Sequence, residues 1–297
     1  MELQWPLMLF TLFLCLGAGV MFFQGALALR GKGAAMNQVV PIVSAVLVAL
    51  GSFCAFLHLE HWERFFNGFG HITSGITLEL IFVAVFVAAL VVVFMAARKN
   101  KGQVLPRWCA IVAIACSAVM VLVMSLSYLM ASRPAWNNVG LVVFYLADMV
   151  LLGSFGLMVI ACVMKCDDER DMLKKWVAVS ALIGAAGFVV YALCAAASAG
   201  SFSNVGHFYD PTDPAVEIVD TANIGAIMTI GSGSSLFWGG LALGAIVPLG
   251  VGLALWRSAK SSAVLPLVVV GLLCAVVGSL MFRCLFYVLG FSLFGVF

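Results

Sequence analysis

Residues 74–102 read SGITLELIFVAVFVAALVVVFMAARKNKG. The apolar part, 74–97, is longer than the roughly 20 residues a helix needs to cross a bilayer. It carries a single carboxylate, Glu79, and stops at the basic cluster Arg98-Lys-Asn-Lys-Gly. Comparable runs stand on either side at roughly 6–29, 39–58, 108–130, 139–164, 176–198, 236–256 and 263–289. The sequence therefore predicts an all-α integral membrane protein of eight transmembrane helices, forming one membrane domain over residues 1–297. Composition agrees: 64% of residues are apolar and 9% charged, against about 25% charged in a soluble domain. Nucleic-acid binding and cytosolic enzymology are excluded on that ground.

Eight spans place both termini on one side of the membrane. Loops one, three, five and seven hold 12 of the 15 Lys and Arg residues, and the terminal side holds Arg64, Arg133 and Arg283. By the positive-inside rule the basic side is cytoplasmic, so the N- and C-termini face out. No basic n-region precedes the first run, and a cleavable signal peptide is not expected. The loop at 199–235 carries Asp210, Asp213, Glu217 and Asp220 but no Lys or Arg. With its Gly231-Ser-Gly-Ser-Ser hinge it reads as an outward lid, a partner-docking segment or a merely solvated acidic loop. The run Asp167-Asp-Glu-Arg-Asp on the other side reads as a solvated turn. Eight up-and-down helices, read as uninterrupted, allow a packing of two four-helix bundles, and the spacing of Gly240 and Gly244 marks a close helix contact.

Ionisable groups inside spans cost about 2.5–3.5 kcal/mol at the bilayer centre and tend to be kept for function. Glu79, Asp148 and Arg283 are such groups. At 1.5 Å per residue Glu79 falls about 9 Å below the outer edge, Asp148 comes to a similar depth, and Arg283 returns to the outer boundary beside His58. A carboxylate, an imidazole, a guanidinium and a second carboxylate can thus share one outward-facing layer. Arg283 paired with Asp148 or Glu79 as a structural ion pair explains part of the same pattern. The layer suits a quinol: Glu79 as proton acceptor, His58 as hydrogen-bond partner to an oxygen, and an apolar slot for ring and tail. All four histidines, 58, 61, 71 and 207, lie at the outer edge, so paired haem ligands inside the membrane are not expected. His58 and His61, with Glu60 or Glu63, have a weak metal-ligand spacing that is also that of an ordinary polar loop, and no metal site is expected. The nine cysteines never form CxxC. Cys162 and Cys166, one turn apart, permit a metal or redox role but read more simply as packing.

Several short motifs, in order, carry a resemblance: Trp5-Pro-Leu-Met-Leu-Phe, Leu57-His58-Leu59, Phe66-Asn67 ahead of Glu79, and Arg283-x-x-Phe286-Tyr287. With eight spans they resemble the DmsC-like family, the membrane anchor subunits of bacterial dimethyl sulfoxide reductase. The resemblance implies a haem-free anchor in the bacterial cytoplasmic membrane that oxidises menaquinol in anaerobic respiration. It implies two partners, a four-cluster ferredoxin-like iron–sulfur subunit and a molybdopterin catalytic subunit, which carry those cofactors. It also implies that His58 and Glu79 are quinol-site residues, with Arg283 in or beside the site. A second reading, a small-solute or ion transporter with Glu79, Asp148 and Arg283 along its path, predicts a chain that works without soluble partners.

Overall fold

A computed structural model describes residues 4–59, 61, 71, 74–100, 102–199, 224–258 and 261–291. Glu60, Glu63, Arg64, Phe66, Asn67, Lys101, His207, Asp210, Asp213, Glu217, Asp220 and Lys260 lie outside these residues, as does most of the acidic loop.

All regular structure among the described residues is helical. In chain order the helices are α1 (Trp5–Leu29), α2 (Val39–Phe56), α3 (Gly75–Lys99), α4 (Arg107–Ser127), α5 (Val139–Val163), α6 (Asp167–Ala197), α7 (Ile224–Thr229), α8 (Ser234–Leu241), α9 (Val247–Ser258) and α10 (Ser261–Val288). Among the described residues eight spans are long and apolar enough to cross a membrane, with Ser234–Arg257 as the seventh. Local chemistry sets their ends. Pro6 stands in the first turn of α1, where a missing N–H costs nothing. Ser74 and Asn138 cap α3 and α5 by accepting the amide hydrogens of Thr77 and Leu141. Helix α1 ends in a left-handed Gly31, and the Lys32 amide reaches back to the Leu27 carbonyl. Lys165 takes the same left-handed role after α5.

The structure revises two expectations. The acidic run at 167–171 is the first turn of α6, where carboxylates favourably meet unpaired amides. It also ties two loops together: Glu169 accepts from the Gly33 amide at 3.0 Å, and Lys32 donates to the Asp168 carbonyl. The seventh span is not a continuous α-helix, because residues Ala242–Ile246 form a π-helical turn between α8 and α9. Pro248 explains the position, since it offers no amide to the Gly244 carbonyl one turn back.

Helix α1 packs against α2, α4 and α5; α5 packs against α6 and α10; α3 lies against α4 and α2. The spans α1 and α5 are the most buried, whereas α2 and α3 turn most of their surface outward. Two crossings depend on glycine. Gly19 of α1 meets Gly153 of α5 backbone to backbone, and Gly244 meets Gly278 of α10 in the same way, beside Gly240. Small residues let membrane helices approach this closely. A side chain at Gly153 collides with the Gly19 backbone, which has no rotamer to yield. Gly153→Val is therefore expected to destabilise by about 1–3 kcal/mol, the usual range for overpacking. Thermal unfolding in detergent checks this against Gly250→Ala, where no atom lies within 4 Å of the added carbon.

Candidate functional site

Two of the predicted residues meet in the core. Asp148 on α5 and Arg283 on α10 form an ion pair of 3.0 Å with both side chains buried. Every arm of the guanidinium is occupied. Nε donates to the Thr11 hydroxyl at 2.8 Å. Nη1 donates to the Ser279 carbonyl at 3.2 Å and to the Ser279 hydroxyl, which in turn donates to Asp148 Oδ2 at 2.8 Å. Nη2 also reaches the Cys15 sulfur at 3.5 Å, and the ring of Tyr145 lies 5.2 Å from the guanidinium carbon. Three helices are thereby joined through one charge pair. A buried pair survives only when its remaining hydrogen-bonding capacity is met, and here it is. The sequence signals were present but easy to pass over. Ser279 stands four residues before Arg283, and Thr11 and Cys15 are themselves one helical turn apart.

Glu79 is placed differently. It lies four residues beyond Gly75, and Gly75 packs on the backbone of Ser127 at the end of α4. That contact aims Glu79 at the same helix end, where Oε2 accepts from the Ser127 hydroxyl at 3.3 Å. The carboxylate is only 8% exposed, and Oε1 has no hydrogen-bond partner among the described residues. Asp148 stands nine residues into α5, roughly a turn and a half deeper along its helix than Glu79 is along its own. Glu79 and the Asp148–Arg283 pair thus have separate hydrogen-bond partners.

Aromatic rings lead from the ion pair towards the end of α4, since the Tyr145 ring that faces Arg283 also packs against Tyr128. Tyr128, the residue after Ser127, packs 6.1 Å from the Tyr145 ring and 6.0 Å from Phe286. The cluster is held by the 128–138 loop. Trp136 stacks on Phe286 at 4.2 Å and donates to its carbonyl at 2.7 Å, and Arg133 donates to the Gly290 carbonyl at 2.8 Å. Sequence reading took Phe286 only as part of a motif and passed over Tyr128, Trp136 and Tyr145, because tyrosine and tryptophan at span ends are the ordinary furniture of membrane interfaces.

His58 is exposed just past the end of α2. His61 and His71 are exposed as well. Among the described residues no group of three metal-ligating side chains gathers in one place. Cys162 and Cys166 are buried free thiols. A cavity of about 320 Å³ between α6, α7 and α8, lined by Phe188, Ala192, Met228, Phe237 and Leu241, is apolar and separate from Glu79.

No curated protein matches the chain. A family model, DMSO reductase anchor subunit (DmsC), matches residues 1–289. That match takes in all eight spans together with Glu79, Asp148 and Arg283, and the chain belongs to the DMSO reductase anchor subunit family.

Proposed function

We propose that this anchor oxidises menaquinol and passes its electrons to an iron–sulfur subunit, which relays them to a molybdopterin catalytic subunit. The observation that carries the reading is the unpaired oxygen of Glu79. A buried acceptor without a donor is costly in a folded protein, and a quinol hydroxyl supplies the missing partner. Membership in an anchor family favours this role over the transporter alternative.

In this scheme the quinol enters sideways from the bilayer, past the exposed flank of α3 formed by Ile76 and Leu78. One quinol O–H donates to Glu79 Oε1, which takes that proton. His58 at the rim orients the second oxygen, whose proton leaves to the aqueous face. Breaking the two O–H bonds releases two protons, and the two electrons go to one-electron clusters on the iron–sulfur partner, leaving quinone. Asp148 and Arg283 act as the fixed wall behind the site. The distribution of Lys and Arg supports a site, termini and partners on the outer face of the cytoplasmic membrane.

Extraction from native membranes in mild detergent tests the reading. The chain is expected to travel with an iron–sulfur subunit and a molybdopterin subunit, and the purified complex to oxidise menadiol. A chain that emerges alone from cells expressing its neighbours overturns the anchor-complex assignment.

A further inference from the structure

A proton acceptor meets the quinol as a carboxylate and leaves it as a carboxylic acid. The carboxylate only accepts hydrogen bonds, whereas the acid also donates one. Any fixed neighbour of Glu79 must therefore reverse its role during turnover, and a hydroxyl, with one hydrogen and two lone pairs, can do so. Ser127 is placed for this. Its Oγ stands 3.3 Å from Glu79 Oε2 and 2.7 Å from the Met124 carbonyl, one turn back on α4. One hydrogen thus faces two acceptors. While Glu79 is ionised, that hydrogen can turn to Oε2. Once Glu79 is protonated, the hydrogen can return to the Met124 carbonyl, and an Oγ lone pair is open to the acid O–H. Gly75 allows the approach: a Cβ there would lie 3.2 Å from Ser127 Cα and 3.3 Å from its Cβ. Glu79, four residues on, stands on the same face of α3. Its other oxygen, Oε1, is buried and has no partner among the described residues.

We propose that Ser127 is the positioning residue for proton transfer at Glu79, donating to Oε2 before the quinol O–H breaks and accepting from the carboxylic acid afterwards. This rests on the quinol reading above and adds what holds the acceptor in each of its two states. As the O–H bond breaks, its proton bonds to Oε1 and its electron pair stays on the quinol oxygen. Electrons leave afterwards to the iron–sulfur partner. The terminal torsion of a glutamate is broad and two-fold, so a half-turn of the carboxyl carries the new O–H round to Ser127. The proton is then held where it cannot return to the quinol oxygen. Ser127 keeps its own hydrogen throughout and acts through Glu79 rather than on the quinol.

Ser127→Ala removes the hydroxyl and suits the helix. In the purified complex, kcat for menadiol is expected to fall about tenfold, the loss of roughly one hydrogen bond to a charged group, with KM parental. The solvent isotope effect on kcat in D₂O is expected to rise, because O–H cleavage now limits turnover. Reduced-viologen-driven activity of the catalytic partner and the thermal midpoint of the complex are expected to stay parental. On a Glu79→Gln background the same substitution is expected to change the residual menadiol turnover by no more than about twofold, since coupled residues are not additive. Parental kcat or a parental isotope effect in Ser127→Ala overturns the proposal, as does a loss matched by a drop in the thermal midpoint, which assigns the hydroxyl to packing. The same loss repeated in full on the Glu79→Gln background also overturns it, and the quinol site then stands without Ser127. Parental menadiol oxidation in Glu79→Gln alone instead shows that the quinol site itself is misplaced, and the role of Ser127 falls with it.

Discussion

Glu79→Gln is expected to lower menaquinol oxidation by about 10²–10⁴-fold, the usual contribution of a positioned proton acceptor, while reduced viologen still drives the catalytic partner. The amide matches the carboxylate in size, and its oxygen can still accept from Ser127, which at present binds Oε2. Helix α3 therefore keeps its seat on α4. What changes is the face that is now unpaired. Oε1 becomes an NH₂ group that donates, and a quinol hydroxyl pointed at it meets a second donor with no basic site between them. The expected kinetic signature is a loss in kcat with the assembled complex present at parental level. Quinol oxidation that survives the substitution removes Glu79 from the chemistry. Loss of viologen-driven activity in parallel assigns it to assembly instead.

The second large effect is expected at Arg283. Arg283→Met leaves Asp148 buried and unpaired, and leaves Thr11 and Ser279 without the arms that join α1 to α10. Removing one partner of a buried pair typically costs 3–5 kcal/mol, a large fraction of the 5–15 kcal/mol by which most folded proteins exceed their unfolded states. Little folded chain is expected in the membrane. The double variant Arg283→Met, Asp148→Leu removes both charges and is expected to restore most of the accumulation, because the remaining hydroxyls can bond within their own helices. Immunoblots of membrane fractions and thermal midpoints in detergent measure this. A double variant no better than the single shows that the guanidinium does more than neutralise Asp148.

The eight spans were legible because water-to-lipid transfer is a one-dimensional property: a run of apolar residues with a basic end can be read without knowing its neighbours. Glu79 was legible for the same reason, as the lone carboxylate in 74–97. What the sequence did not carry was the rotation of each helix about its axis. Helix α5 is apolar nearly all round, so no stripe announced that Asp148 faces Arg283 or that Gly153 faces Gly19. The pairing of Asp148 with Arg283 stood among the alternatives, yet the hydroxyls of Thr11 and Ser279 that complete it belong to spans read only for their hydropathy. Linear depth puts His58 at the end of α2, and the structure leaves it exposed there. Pro248 was the available signal for the π-helical turn, and counting hydropathy alone passes over it.

The charge pair also imposes an order on biogenesis. Asp148 enters the membrane with the fifth span, but its hydrogen-bond donor Ser279 follows 131 residues later, with Arg283 just behind. At typical elongation rates of about 5–20 residues per second, that interval is on the order of 10 s. Until the last span arrives, the Asp148 carboxyl has neither its hydrogen-bond donor nor its counter-charge. The final helix is therefore the keystone of synthesis: the chain becomes one object only when its last segment has been threaded into lipid.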